Sequence, residues 1–190
     1  MAARICILDY GMGNLRSVEK ALEHVGAEAT IASDPAAVRG AAGLILPGVG
    51  AFPRAMERIH ELGIDDLIDE RRNAGVPILG ICLGLQLLFD STTELGGATG
   101  LGLLSGEVAG LDADGLKVPH IGWSPVTWTR ESRLTEGIES GTGRCASTIT
   151  RAEASGLCQQ QRANRGPRPT RAGANGARTR GHWRSSESRT

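Results

Sequence analysis

Within the stretch Val76 to Phe89, VPILGICLGLQLLF, one cysteine stands between two glycines at the spacing G-x-C-x-G. A cysteine of this kind can attack a carbonyl carbon and form a covalent intermediate. That chemistry needs the thiol displayed and a set of fixed donors for the oxyanion that develops. Gly80 and Gly84 let a strand reverse sharply into a helix and tolerate a strained backbone between them, so Cys82 is presented at a nucleophile elbow. At the start of the following helix, unpaired N–H groups and the positive dipole end favour the thiolate form. The competing account is a buried cysteine in a glycine-rich turn. The Leu83 N–H, just after the nucleophile, is one natural oxyanion donor. A second fits the loop Pro47-Gly48-Val49-Gly50, whose glycines allow unusual backbone orientations and close approach of a substrate. On spacing alone that loop is equally an ordinary glycine turn after a strand.

Positioning these groups requires a scaffold, and the pattern of apolar residues outlines one. Pro77, Ile78, Leu79 and Ile81 form a short apolar run, as expected of a parallel strand covered on both faces. Arg4 to Asp9 reads as the first strand. The loop Tyr10-Gly11-Met12-Gly13 then leads to Asn14, a good N-cap residue. Leu15, Val18, Leu22 and Val25 recur at helical spacing, and Gly26 ends that helix. Gly43 to Leu46 is another strand, and Ala55 to Leu62 and Ile64 to Ala74 are helical. The order strand, helix, strand, strand, helix, strand, helix and then more strands indicates an α/β fold with a parallel sheet and helices on both faces. Ligands gather at the carboxyl ends of such strands, where three loops meet: Tyr10 to Asn14, Pro47 to Gly50, and the elbow. The first of these lacks the third glycine of the dinucleotide fingerprint, so no nucleotide cofactor is expected.

The chain has 190 residues and a formal net charge of zero, which conceals a split. Residues 1–140 carry 11 Lys plus Arg against 19 Asp plus Glu, whereas 141–190 carry 10 Arg against 2 Glu. The second segment has no Val, Phe, Met, Tyr or Lys. Its composition cannot bury enough apolar area to offset chain entropy. Two regions are therefore expected: an α/β domain over 1–140 and an Arg/Gly/Ala/Ser-rich tail over 141–190 without stable structure. The basic tail reads as a solvated charge run rather than a specific nucleic-acid site. No signal-peptide pattern opens the chain, and no apolar run is long enough to span a bilayer, so a soluble cytoplasmic protein is expected. Cys6, Cys82, Cys145 and Cys158 form no C-x-x-C pair, and neither a disulfide framework nor a metal site is expected.

Several of these segments resemble a known family. GICLGLQLL is similar to the nucleophile segment of the class I, triad-type glutamine amidotransferases, and PGVGAF to their oxyanion loop. LDYGMGNLRSVEKALEHVGAEATIASDP and KVPHIGW narrow the resemblance to the glutaminase subunits of imidazole glycerol phosphate synthases. Four motifs occur in family order over about Arg4 to Ile138. The resemblance implies a flavodoxin-like sheet, cut short on its C-terminal side, and no cofactor. It implies that Cys82 attacks the side-chain amide of glutamine, that the Val49 and Leu83 amides hold the oxyanion, and that Gly48, Gly50, Gln86 and Glu94 contact the glutamine. It further implies a heterodimer with a (β/α)8-barrel cyclase that receives the ammonia. Asn14, His120, Gly122 and Trp123 would lie at or near that interface. Other roles for Trp123 and His120 are a core aromatic and a hydrogen-bonded loop residue.

Two departures accompany the resemblance. The family usually has Asn after the GW pair, where this chain has Ser124. More consequentially, the family's later V-H-S-Y and F-H-P-E segments, the second supplying the general-base His and its orienting Glu, have no match here. The pattern stops soon after Leu134-Thr135-Glu136-Gly137-Ile138. An out-of-frame reading of a GC-rich gene, beginning near Ser140 to Arg144, would give the composition that follows. His182, with Glu187 behind it, lies in neither the family order nor an apolar strand. His24 and His60 sit on helices away from the elbow. Three functional classes compete: the resemblance implies a glutaminase subunit with crippled turnover or a noncatalytic remnant that at most binds the cyclase, and the elbow alone is shared by a cysteine hydrolase acting on another substrate.

Overall fold

The computed structural model describes residues 3–111, 115, 118, 120–128, 132–133, 135–141, 143–148 and 150–154. The first half alternates strands and helices: β1 (Arg4–Leu8), α1 (Leu15–His24), β2 (Glu28–Ala32), α2 (Pro35–Gly40), β3 (Gly43–Gly48), α3 (Phe52–Glu61), α4 (Ile64–Asn73), β4 (Ile78–Cys82) and α5 (Leu83–Leu87). The four strands form one parallel sheet in the order β2-β1-β3-β4. Parallel neighbours need crossover connections, and the helices supply them.

Helix α2 departs from the expected order, which runs from strand to strand at this point. Its start signal is nonetheless explicit. Asp34 caps it by accepting the Ala37 N–H at 3.0 Å, and Pro35 occupies the first position, where a missing N–H costs nothing. At six residues the helix is too short for apolar periodicity to register. In α4 the charges suit the macrodipole, with Asp65 and Asp66 in the first turn and Arg71 and Arg72 in the last. The Arg39 guanidinium holds Glu70 with three hydrogen bonds of 2.9 to 3.0 Å, tying α2 to α4.

Period-two alternation divides the sheet's side chains between its faces. Cys6, Leu8, Leu44 and Leu46 join Val38, Phe52, Ala55, Met56, Ile59, Ile64, Leu67, Ile68, Leu83 and Leu87 in one core cluster, so α2, α3, α4 and α5 cover that face. On the other face Ile7 and Ile45 are buried, but Leu79 and Ile81, in register beside Ile45 and Pro47, remain 43% and 37% exposed. The elbow strand is therefore not covered on both faces. Its apolar run is compatible with full burial, but β4 is the last strand of its sheet among the described residues and lacks a neighbour on its outer side.

Beyond α5 come β5 (Ser91–Thr92), β6 (Ala98–Thr99), β7 (Gly106–Gly110), β8 (His120–Pro125), β9 (Gly143–Thr148) and β10 (Thr150–Ala154). A second sheet has the order β10-β7-β5-β6, and β8 pairs with β9 alone. Regular structure thus continues past Ser140 into the first residues of the segment expected to be largely without it. Antiparallel ladders are made by backbone groups and do not themselves require the apolar side chains missing from this segment. The remainder of that tail, 155–190, lies outside the described residues. Among the described residues, no helix is long and apolar enough to cross a membrane.

Candidate active site

Cys82 is the last residue of β4 and the N-cap of α5, and its backbone sits at φ 56 and ψ −121. Leu95 is the one other described non-glycine residue with positive φ. Such a conformation costs about 1–3 kcal/mol and persists where the surroundings over-determine it. Here the surroundings are backbone on both sides. A Cβ on Gly80 would lie 2.5 Å from Leu85 Cα, and one on Gly84 would lie 1.8 Å from the Leu46 carbonyl oxygen. The two glycines therefore do more than permit a turn: they let α5 press directly onto β4 and β3. The outcome is an exposed thiol at the carboxyl end of the sheet.

Register brings the Pro47 to Gly50 loop beside that thiol, because Gly48 of β3 pairs with Cys82 of β4. A Cβ on Gly48 would meet Tyr10 Oη at 2.6 Å, the Gly84 nitrogen at 2.8 Å and Leu83 Cβ at 3.0 Å. Gly50 adopts φ 101, a conformation that favours glycine. Val49 between them is exposed, while Leu83 on the other side of Cys82 is buried. The first loop also reaches this place. Gly13 approaches the Pro47 ring, Met12 Cε approaches Gly50, and the Tyr10 hydroxyl donates to the Pro47 carbonyl at 2.7 Å. All three loops expected at the carboxyl ends of the strands are thus brought together. Tyr10 is wholly buried, and burial, with the nearby Cys82 as a secondary cause, pushes its phenol well above the ordinary tyrosine value. Sequence reasoning passes over Tyr10, since one aromatic in a loop carries neither periodicity nor a motif.

The other candidates fall into separate surroundings. Gln86 lies half-buried on α5, the helix that packs against β4 and β3. Glu94 opens a short 3-10 turn, Glu94–Gly96, and its N–H is held by Thr92 Oγ1 at 3.1 Å. Thr92 in turn donates to the Val108 carbonyl at 2.9 Å, which ties this turn to β7. Asn14 stands at the N-cap of α1 and is exposed, but its side chain makes no capping hydrogen bond, contrary to the capping role expected of it. His120, Gly122 and Trp123 lie on β8, opposite Thr148, Ala146 and Cys145 of β9. Trp123 is 77% exposed, so it is not a core aromatic.

Two histidines can be placed in full. His24 ends α1 on the surface, and His60 on α3 pairs through Nδ1 with Asp65 Oδ2 at 2.7 Å. Neither makes a hydrogen bond to Cys82. His182 and Glu187 lie outside the described residues. Chemically, the described residues therefore offer a displayed thiol and neighbouring backbone amides.

Comparison with known proteins agrees with this architecture. The family model for glutamine amidotransferase class-I matches residues 6–155. The chain is 51% identical over 138 residues to the imidazole glycerol phosphate synthase subunit HisH of Moorella thermoacetica, covering 73% of this chain and 65% of that protein. It is likewise 51% identical over 142 residues to HisH of a Geobacillus species, covering 72% and 67%. The chain thus spans about two thirds of the length of such relatives. Among solved structures, a glutamine amidotransferase crystal structure superposes with a TM-score of 0.57 at 24% identity, covering 76% of this chain and 70% of that one. PurLQS from Thermotoga maritima gives 0.52 at 23% identity, covering 81% and 68%. These last two establish the fold alone. With its elbow, its parallel sheet and these relatives, the chain belongs to the class-I glutamine amidotransferases, in the branch of the HisH subunits.

Proposed function

We propose that this chain is a glutaminase subunit whose thiol can open the glutamine carboxamide but whose turnover is crippled. Cys82 Sγ attacks the side-chain carbonyl carbon, and the Val49 and Leu83 amides receive the developing oxyanion. Collapse expels ammonia and leaves a glutamyl thioester that water converts to glutamate. Gly48, Gly50, Gln86 and Glu94 hold the substrate. The single observation that carries this reading is the pairing of Gly48 with Cys82, which sets the glycine loop beside a thiol held at φ 56. In the complete process the ammonia passes to a (β/α)8-barrel cyclase, docked through Asn14, His120, Gly122 and Trp123, in histidine biosynthesis.

Expulsion of ammonia needs a proton donor, and activation of water needs a base. The F-H-P-E segment that supplies both in the resembling family has no match in this sequence. Losing a triad member lowers turnover by roughly four to six orders of magnitude, leaving what the oxyanion hole and binding provide. A frameshift between the codons for Gly137 and Cys145 accounts for the loss. Resequencing that stretch tests it: restoring one or two bases is expected to uncover F-H-P-E downstream, and failure in both alternative frames removes the explanation.

Activity is tested by glutamate release from the purified chain, with and without a HisF-type cyclase, against Cys82→Ala. Release at the Cys82→Ala level, together with labelling of Cys82 by a glutamine-mimicking electrophile, is the expected result. A second reading, a noncatalytic remnant that at most binds the cyclase, draws on the exposed Trp123. Cyclase binding that is lost in Trp123→Ala, with no glutamine-dependent labelling of Cys82, would favour it.

A further inference from the structure

The chain's single tyrosine is buried where three elements meet, and the glutaminase reading gives it no task. Strand β3 pairs with β1 only from Gly43 to Ile45, whereas it pairs with β4 from Leu44 to Gly48. Its last three residues therefore run beyond the β1 ladder. Within that stretch, the Pro47 carbonyl receives the Tyr10 hydroxyl at 2.7 Å, in a buried hydrogen bond. The phenolic oxygen also sits 2.6 Å from where a Gly48 Cβ would be. Tyr10 thus touches both the end of β3 and the residue in register with Cys82.

Gly48 and Gly50 leave the loop backbone free to turn, so a peptide placed there needs an external restraint. A hydroxyl donating to a buried carbonyl is such a restraint, because releasing it leaves that carbonyl without its partner. The Pro47–Gly48 peptide is one unit removed from the peptide that carries the Val49 N–H. Resting on the proposal that Val49 is an oxyanion donor, we infer that Tyr10 is a positioning residue: its hydroxyl clamps the Pro47–Gly48 peptide and so aims the Val49 amide toward the carbon attacked by Cys82. Burial keeps the phenol protonated, so the clamp remains a donor throughout the neutral and mildly alkaline range.

Tyr10→Phe keeps the ring and deletes the donor. Two measurements on the full chain test the inference. The first is amide hydrogen exchange, which depends on no catalysis. Exchange at Gly48, whose N–H belongs to the clamped peptide and lies in the β3–β4 ladder, is expected to accelerate by about tenfold, the equivalent of one hydrogen bond, with α4 unchanged. Equal protection in the variant, or uniform acceleration through the whole chain, overturns the clamp. The second is binding of the aldehyde analogue of glutamine. There the Sγ–carbon bond forms, the carbonyl π bond breaks, and the thiol proton ends on the former carbonyl oxygen, giving a neutral thiohemiacetal. Affinity is expected to fall about fivefold to tenfold in Tyr10→Phe, while alkylation by iodoacetamide, which places no oxygen between the amides, keeps its rate. Unchanged aldehyde affinity also overturns the clamp.

If the wild-type chain binds the aldehyde no better than Cys82→Ala, the glutaminase reading fails, and the exchange measurement still decides whether Tyr10 holds the loop. Should Tyr10→Phe not fold, global incorporation of 3-fluorotyrosine alters this one site. A stronger donor is then expected to slow exchange at Gly48, and an unchanged rate counts against the clamp.

Discussion

Replacing Gly84 by Ala isolates the contact on which the elbow is built. In an ordinary helix this change stabilises by about 1 kcal/mol through propensity, and by a further fraction through the unfolded chain. Here the new methyl would lie 1.8 Å from the Leu46 carbonyl oxygen, 2.7 Å from its carbon and 3.1 Å from the Pro47 carbonyl carbon. Ordinary contact begins near 3.4 Å, so about 1.6 Å must be found. All three obstacles are backbone, and β4 holds that part of β3 along its whole length. Rotamer changes cannot relieve the clash, so the elbow itself must move. Overpacking costs of about 1–3 kcal/mol are typical where side chains can yield, and this site lies at or above the upper end. A net destabilisation of about 3 kcal/mol is expected in urea unfolding followed by circular dichroism. Gly40→Ala is the control, because nothing lies within 4 Å of its Cβ position at the end of α2. That variant is expected to be neutral or slightly stabilised. The same displacement carries Cys82 with it, and a misplacement of about 1 Å can cost two orders of magnitude in a positioned reaction. If Gly84→Ala unfolds within 0.5 kcal/mol of the parent, the direct seating of α5 on β3 is wrong.

Thiol mapping by mass spectrometry should find Cys82 alkylated rapidly in the folded chain and Cys6 only on unfolding, since Cys6 is buried and burial pushes its thiol up. Comparable rates at the two sites would contradict the packing of β1. The exposed Leu79 and Ile81 on the outer strand β4 are expected to make the chain self-associate in light scattering, and Leu79→Lys to reduce that association with little change in midpoint temperature; unchanged association would show that another surface is responsible. Arg39 holds the Glu70 carboxyl below the usual carboxylate range. The linked stability is therefore present above the ordinary glutamate pKa of about 4.3 and is lost as pH falls through the lower folded value. Glu70→Gln should lower the urea midpoint at pH 7 and converge with the parent near pH 2, and a gap that persists in acid would assign the effect to something other than charge.

What the sequence discloses about this molecule follows from how local each constraint is. The elbow is legible because its two glycines flank the cysteine at fixed spacing and the strand before it is marked by its own apolar run; the contact that demands Gly80 lies a few residues away at Leu85, whereas the one that demands Gly84 lies at Leu46, across the sheet. The parallel order is legible because helices and strands alternate over short loops. By contrast, the exposure of Leu79 and Ile81 depends on which strand lies beyond β4, and nothing in VPILGIC encodes its neighbour. Helix α2 is announced by Asp34 and Pro35 but is too brief for its periodicity to count. Strands β9 and β10 sit in a composition that disfavours a core but does not forbid a ladder. The Tyr10 to Pro47 bond spans 37 positions and joins two loops, so it becomes visible only when the sheet aligns them.

The seating of Gly84 on Leu46 separates two kinds of selection at adjacent codons. Every first- or second-base change in a glycine codon introduces a side chain or a stop, so codon 84 tolerates only silent third-base drift for as long as the domain must fold. Codon 82 is answerable to reactivity instead. In a lineage of such genes, losing the cysteine while retaining the glycine would mark a polypeptide kept for its shape, and losing both would mark one kept for nothing.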